Sequence, residues 1–221
     1  MVAAVGRRPP GSGQTVDPVV DPALIGQFRA FTGVDPSARP AAVLVALFED
    51  EDEDEGEARV VLTVRSDRLR SHRGEVAFPG GRLDPGESVE AAALREAHEE
   101  VRLDPASVSL VGRLTPMPTV SSNTVMTPVV ASLDARPALV PAPDEVDRVF
   151  DVALADLVAE GAFREELWSV PGRPGSDGRP GGEFPVWFFT AGGELIWGAT
   201  ARVLTELLCV VLSLPGPVPG P

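Results

Sequence analysis

The sequence predicts an α/β fold on two observations. Runs of strand length, rich in β-branched residues, alternate with segments whose apolar residues recur at helical spacing. A third observation bounds the organisation: among 221 residues there is no internal repeat and no linker strong enough to divide the chain. Residues 1–18 read as a flexible leader, 19–215 as a single domain and 216–221 as a Pro/Gly-rich tail.

Asp21–Phe31 places Leu24, Ile25 and Phe28 at helix-like intervals, so a short helix is expected. Ala41–Phe48 (AAVLVALF) and Arg59–Val64 (RVVLTV) are continuous apolar runs and read as strands. The acidic run Asp50–Glu55 between them reads as an exposed hairpin loop with no chemistry. Ser88–Val101 is the clearest helix: Ser88 suits an N-cap, Glu90 suits the positive helix start, and three alanines follow. Strands are expected at Val108–Leu114, Val125–Leu133 and Phe184–Thr190, with a Pro-rich loop over Thr115–Thr119. Asp151–Glu160 reads as a short helix, Arg173–Gly182 as a loop, and Ala199–Leu214 as an apolar helix ending at Pro215.

Composition excludes some functions. A formal net charge of −14 argues against general nucleic-acid binding, which needs a basic surface. One local island runs the other way: Arg65, Arg68, Arg70, Arg73 and Arg82, with His72 among them. Such an island in an acidic protein suggests a small anionic ligand. The single cysteine, Cys209, precludes an internal disulfide and reads as a structural thiol. Met1–Thr15 lacks the apolar core of a signal peptide, and the apolar run at Leu207–Leu214 is too short to span a bilayer. A cytoplasmic enzyme without membrane or nucleic-acid partners is therefore expected.

The chemistry concentrates in Gly81–Leu103, GRLDPGESVEAAALREAHEEVRL. On a helix Glu96, Glu99 and Glu100 share one face, where like charges repel. The opposite side carries Ala93, Leu94, Ala97 and Val101, which anchors the helix to a core. The turn Phe78-Pro79-Gly80-Gly81 brings backbone close to the carboxylates. Carboxylates gathered this way suit a hard cation such as Mg²⁺, whose charge relieves their repulsion.

This segment resembles the Nudix box: a glycine, five residues, a glutamate, seven residues, then Arg-Glu-apolar-any-Glu-Glu-any-Gly-apolar. Gly81, Glu87, Arg95, Glu96, Glu99, Glu100 and Leu103 fall in register, while Ala97 is small for its position and Arg102 replaces the terminal glycine. The resemblance implies an α/β/α sandwich with a mixed sheet between helices, and a Mg²⁺- or Mn²⁺-dependent hydrolase of diphosphate linkages. It makes Glu96, Glu99 and Glu100 the metal-ligand candidates and Arg95 with Glu87 the pair that holds the glycine loop to the helix. His98 falls on the far side of the helix and is not read as a ligand. Glu99 and Glu145 are the candidates for accepting a proton from the attacking water.

Leu62–Gly81, LTVRSDRLRSHRGEVAFPGG, is further similar to the motif that precedes the box in the coenzyme A pyrophosphatase branch. Arg65, Ser66, Arg70, Gly74 and the Phe78–Gly81 turn match it. Met126–Val130 and Ile196–Thr200 also resemble that branch. The implied substrate is coenzyme A or a derivative, and the implied products are 4′-phosphopantetheine and adenosine 3′,5′-bisphosphate. Guanidinium groups suit its diphosphate and ribose 3′-phosphate, so Arg65 and Arg70, with Phe78, Gly80 and Gly81, are the substrate-contact candidates. Two alternatives stand beside this: a Nudix enzyme for another nucleoside diphosphate derivative, such as ADP-ribose or a dinucleoside polyphosphate, and a non-catalytic nucleotide sensor.

Overall fold

The computed structural model of the chain describes residues 37–50, 56–69, 71–119, 123–169 and 183–214. The expected leader, the Asp21–Phe31 helix, residues 51–55 of the acidic run, Arg70, the Arg173–Gly182 loop and the C-terminal tail lie outside the described residues.

Strands β1 (Arg39–Asp50) and β2 (Glu57–Arg65) pair antiparallel, Asp50 facing Glu57; Asp50, expected in an exposed loop, is instead the buried last residue of β1 and pairs with Arg136. On β1, Ala42, Leu44, Ala46 and Phe48 enter one core cluster while Val43 and Val45 enter another. Burial on both faces explains why this strand is apolar throughout rather than alternating.

The main sheet runs β3 (Val76–Ala77), β2, β1, β7 (Thr124–Leu133), β5 (Val108–Arg113). On its flanks β4 (Gly80–Arg82) pairs β1, β6 (Met117–Thr119) pairs β7, and β8 (Val146–Ala153) pairs β2. The β1–β7 pairing is parallel and the others are antiparallel, so the sheet is mixed. Helix α1 (Val89–Val101) packs on one face through Ala92, Ala93, Ala97 and Val101. Helix α3 (Gly198–Val211) covers the other face, together with a three-stranded sheet of β11 (Glu194–Trp197), β10 (Glu183–Ala191) and β9 (Phe163–Ser169). The result is the expected sandwich of helices about a mixed sheet.

Three details differ from the sequence reading. The Asp151–Glu160 segment divides: residues through Ala153 complete β8, and only α2 (Leu154–Leu157) is helical. Met117–Thr119, read as loop, pairs with β7 as β6. Strand β9 is not expected from the sequence, because FREELWS has no apolar run; its order comes from pairing with β10. Among the described residues no helix is long and apolar enough to cross a membrane.

Candidate active site

The ends of α1 show how it is held. Ser88 Oγ accepts the Ala91 N–H at 3.1 Å, the expected N-cap. At the other end Arg102 takes φ 59°, the left-handed turn that a glycine adopts there without strain. Its N–H donates to His98 O at 3.0 Å, so the arginine reproduces the helix stop that the box glycine provides. The small residues on the buried side let the helix lie close to the sheet, and Glu96 and Glu100 extend from that same side toward β4.

There the glycines matter. Gly80 and Gly81 pair with Val43 and Ala42 of β1. Gly80 N–H donates to Glu100 Oε2 at 3.1 Å. A β-carbon on Gly81 would lie 2.5 Å from the Glu96 carboxylate, so only glycine leaves that carboxylate room. Phe78 is 3% exposed and belongs to the core beneath this turn.

Arg95 organises the rim. Its Nε and Nη2 donate to the two oxygens of Glu87 at 2.9 Å each, a bidentate pair. Nη2 also donates to Arg82 O at 3.0 Å, which ties the glycine loop to the helix. Nη1 reaches Glu96 at 2.9 Å and Glu99 at 3.1 Å. The guanidinium holds the Glu87 carboxyl well down, to about 2.

Glu100 is 3% exposed. Burial above all, reinforced by the charges of Glu96 and Glu145, pushes its carboxyl up to about 7, against the Gly80 N–H and the Arg65 charge. Glu96 is raised too, by burial first, and Glu99 and Glu145 add to it. Glu145 thus stands within electrostatic reach of both. It gets there because the preceding loop latches to the end of α1: Val140 N–H donates to Val101 O at 2.9 Å and Ala142 N–H to Glu100 O at 2.8 Å.

The basic island meets the carboxylates through Arg65. This residue ends β2 beside a register shift, with its N–H on Glu75 O at 3.0 Å. Its Nη1 lies 3.9 Å from Glu100 Oε1. Arg68 pairs instead with exposed Asp144, and Arg73 donates to Leu69 O. The structure therefore gathers Glu96, Glu100, Glu145, Arg65, Gly80 and Gly81; Glu99 stands at the rim, 55% exposed and paired to Arg95. His98 is exposed and bonds Leu103 O at 3.0 Å, away from this group. The sequence reading does not single out buried Ser66 or the Val140–Ala142 latch as placing Glu145. Ser66 N–H donates to Glu145 O at 2.9 Å, and backbone contacts of this kind leave no side-chain signature to read.

Among the described residues no three acidic, histidine or cysteine side chains are already arranged as a metal cluster, and Arg95 engages Glu96 and Glu99. The donor set still fits a hard cation: oxygens only, with the Glu100 carboxylate buried and two further carboxylates repelling it.

A family model described as the NUDIX domain matches residues 38–170. The chain belongs to the Nudix family. It is 36% identical over 170 residues to the uncharacterized Nudix hydrolase NudL of Citrobacter koseri, covering 76% of this chain and 81% of that protein. The NudL of Escherichia fergusonii is 37% identical over the same length and coverage. That of Photorhabdus laumondii is 37% identical over 149 residues, 67% of this chain and 74% of that one. Among solved structures, a Nudix hydrolase from M. smegmatis, RenU, superposes with a TM-score of 0.46 at 25% identity, across 55% of this chain and 74% of that one. The protein is thus a Nudix hydrolase, of a family that acts on pyrophosphate bonds, binds small nucleotide-derived substrates and generally uses divalent metal ions.

Proposed function

We propose that this Nudix hydrolase cleaves the diphosphate of coenzyme A or its derivatives, with Mg²⁺ or Mn²⁺ held by Glu96 and Glu100 and with Glu99 adding charge at the rim. The observation that carries the substrate is the position of Arg65: the motif similar to the coenzyme A branch delivers this guanidinium to the buried carboxylate of the Nudix helix, 3.9 Å from Glu100.

A bound divalent ion supplies charge neutralisation for the diphosphate and lowers the pKa of a water. The chain's own residues do the rest. Arg65, with Arg70, offsets phosphate charge that the carboxylates and the net charge of −14 otherwise repel. Gly80 and Gly81 let the substrate approach the backbone closely. Glu145, exposed yet close enough to bias both Glu96 and Glu100, accepts the proton as water attacks phosphorus in line. Arg95 and Glu87 keep the glycine loop and helix in register and take no part in proton transfer.

The test is turnover of coenzyme A against its 3′-dephospho form, with ADP-ribose and a dinucleoside polyphosphate alongside. A clear preference for coenzyme A is expected. Equal turnover of the two forms removes the case for a 3′-phosphate site, and no hydrolysis of any of the four favours a nucleotide sensor.

A further inference from the structure

Two arginines neutralise the carboxylates of this site, and they are held in opposite ways. Arg95 uses Nε, Nη1 and Nη2 together on Glu87, Glu96, Glu99 and Arg82 O, all between 2.9 and 3.1 Å. Among the described residues Arg65 has one ion pair, to Glu100 at 3.9 Å, which is beyond hydrogen-bonding distance. Its Nε is buried and has no hydrogen-bond partner among the described residues. A dehydrated donor left unpaired carries a standing penalty, so charge attraction rather than bonding keeps Arg65 at this carboxylate. The side chain is 28% exposed, so one side opens to solvent.

We infer that Arg65 is a displaceable counter-ion of Glu100, which a divalent cation arriving at that carboxylate expels and so frees for the substrate's phosphates. The inference rests on the proposed metal role of Glu100. The 3%-exposed Glu100 carboxylate has little room for two cationic partners, and they repel each other at this range. The better-bonded Arg95 stays, because its release breaks the Glu87 pair and the tie to Arg82. Of the two guanidiniums, only Arg65 gains bonds by leaving, since a phosphate offers its donors what Glu100 at 3.9 Å does not.

Two measurements test this without turnover. The first is Mn²⁺ affinity, read by electron paramagnetic resonance of the free ion, for wild type, R65M, E100Q and the double variant. R65M is expected to bind Mn²⁺ tighter, on the order of fivefold, and the gain is expected to vanish in the E100Q background. An unchanged or weakened affinity in R65M overturns the inference, and so does an equal gain in both backgrounds, which marks a general field effect. R65Q repeats the comparison if R65M does not fold. The second uses wild type only: Mg²⁺ titration should shift the ¹Hε–¹⁵Nε resonance of Arg65 and change that of Arg95 far less. An Arg65 resonance indifferent to Mg²⁺ overturns it as well. If wild type binds no Mn²⁺, the metal reading itself fails and takes this inference with it. If wild type binds and Arg65 makes no difference, only the inference fails.

Discussion

Gly81 and Glu96 are packed so that a β-carbon on the glycine would stand 2.5 Å from the glutamate's carboxylate. The obstructed atoms are the end of a flexible side chain, so G81A should fold, with Tm within a few degrees of wild type, while turning Glu96 away. Misplacement on this scale costs on the order of 10²-fold in kcat. Gly80 differs, because there a β-carbon would meet Val43 Cα at 2.6 Å, which is backbone in the central strand. G80A should therefore lower Tm as well. Full activity in G81A argues that Glu96 has no part in the reaction.

Glu96 and Glu100 are each expected to be indispensable to turnover and dispensable to the fold. E96Q and E100Q should lose most activity at saturating Mg²⁺ or Mn²⁺ while keeping the far-ultraviolet spectrum. E100Q should be at least as stable as wild type at neutral pH, since it removes a charge that burial disfavours. Retained turnover at saturating metal removes the ligand assignment.

The Glu87–Arg95 pair sets an acid-side dependence. The Glu87 carboxyl is depressed from 4.5 to about 2 in the folded protein. A depressed folded pKa means the stabilisation is complete above about 4.5 and drains away as pH falls through 2. The difference in urea midpoint between wild type and E87Q should hold from neutral pH to about 4.5, then close. A gap as large at pH 2 as at neutral pH is incompatible with an ionic pair.

Arg102 is held in a left-handed conformation, which costs a non-glycine residue roughly 1 kcal/mol. R102G should therefore raise unfolding stability by up to about that amount and leave kcat unchanged. Loss of stability in R102G points to an interaction of the arginine side chain that outweighs the strain.

What is legible in the sequence follows from side-chain patterning. The helix from Ser88, the two apolar strands of the hairpin and the register of Glu87, Arg95, Glu96 and Glu100 all carry period or spacing in their own residues. Arg65 is distinguishable as part of a motif but not from Arg68 or Arg73 by position relative to the carboxylates. That depends on where β2 ends and on the register shift beside β8. Strand β9 and the short β3, β4 and β6 are made by pairing across the chain, where composition says little. The placement of Glu145 depends on backbone donors meeting a helix end, a contact any residue type can make.

The latch between Ala142 N–H and Glu100 O joins a loop to the same residue whose carboxylate lies at the heart of the site. The bend before it is anchored too: Arg136 pairs with Asp50 and Asp151, and Leu139 packs against the core beneath α1. A change of length in this bend therefore registers first as lost stability, and only after those ties break as a shift of Glu145 relative to Glu100.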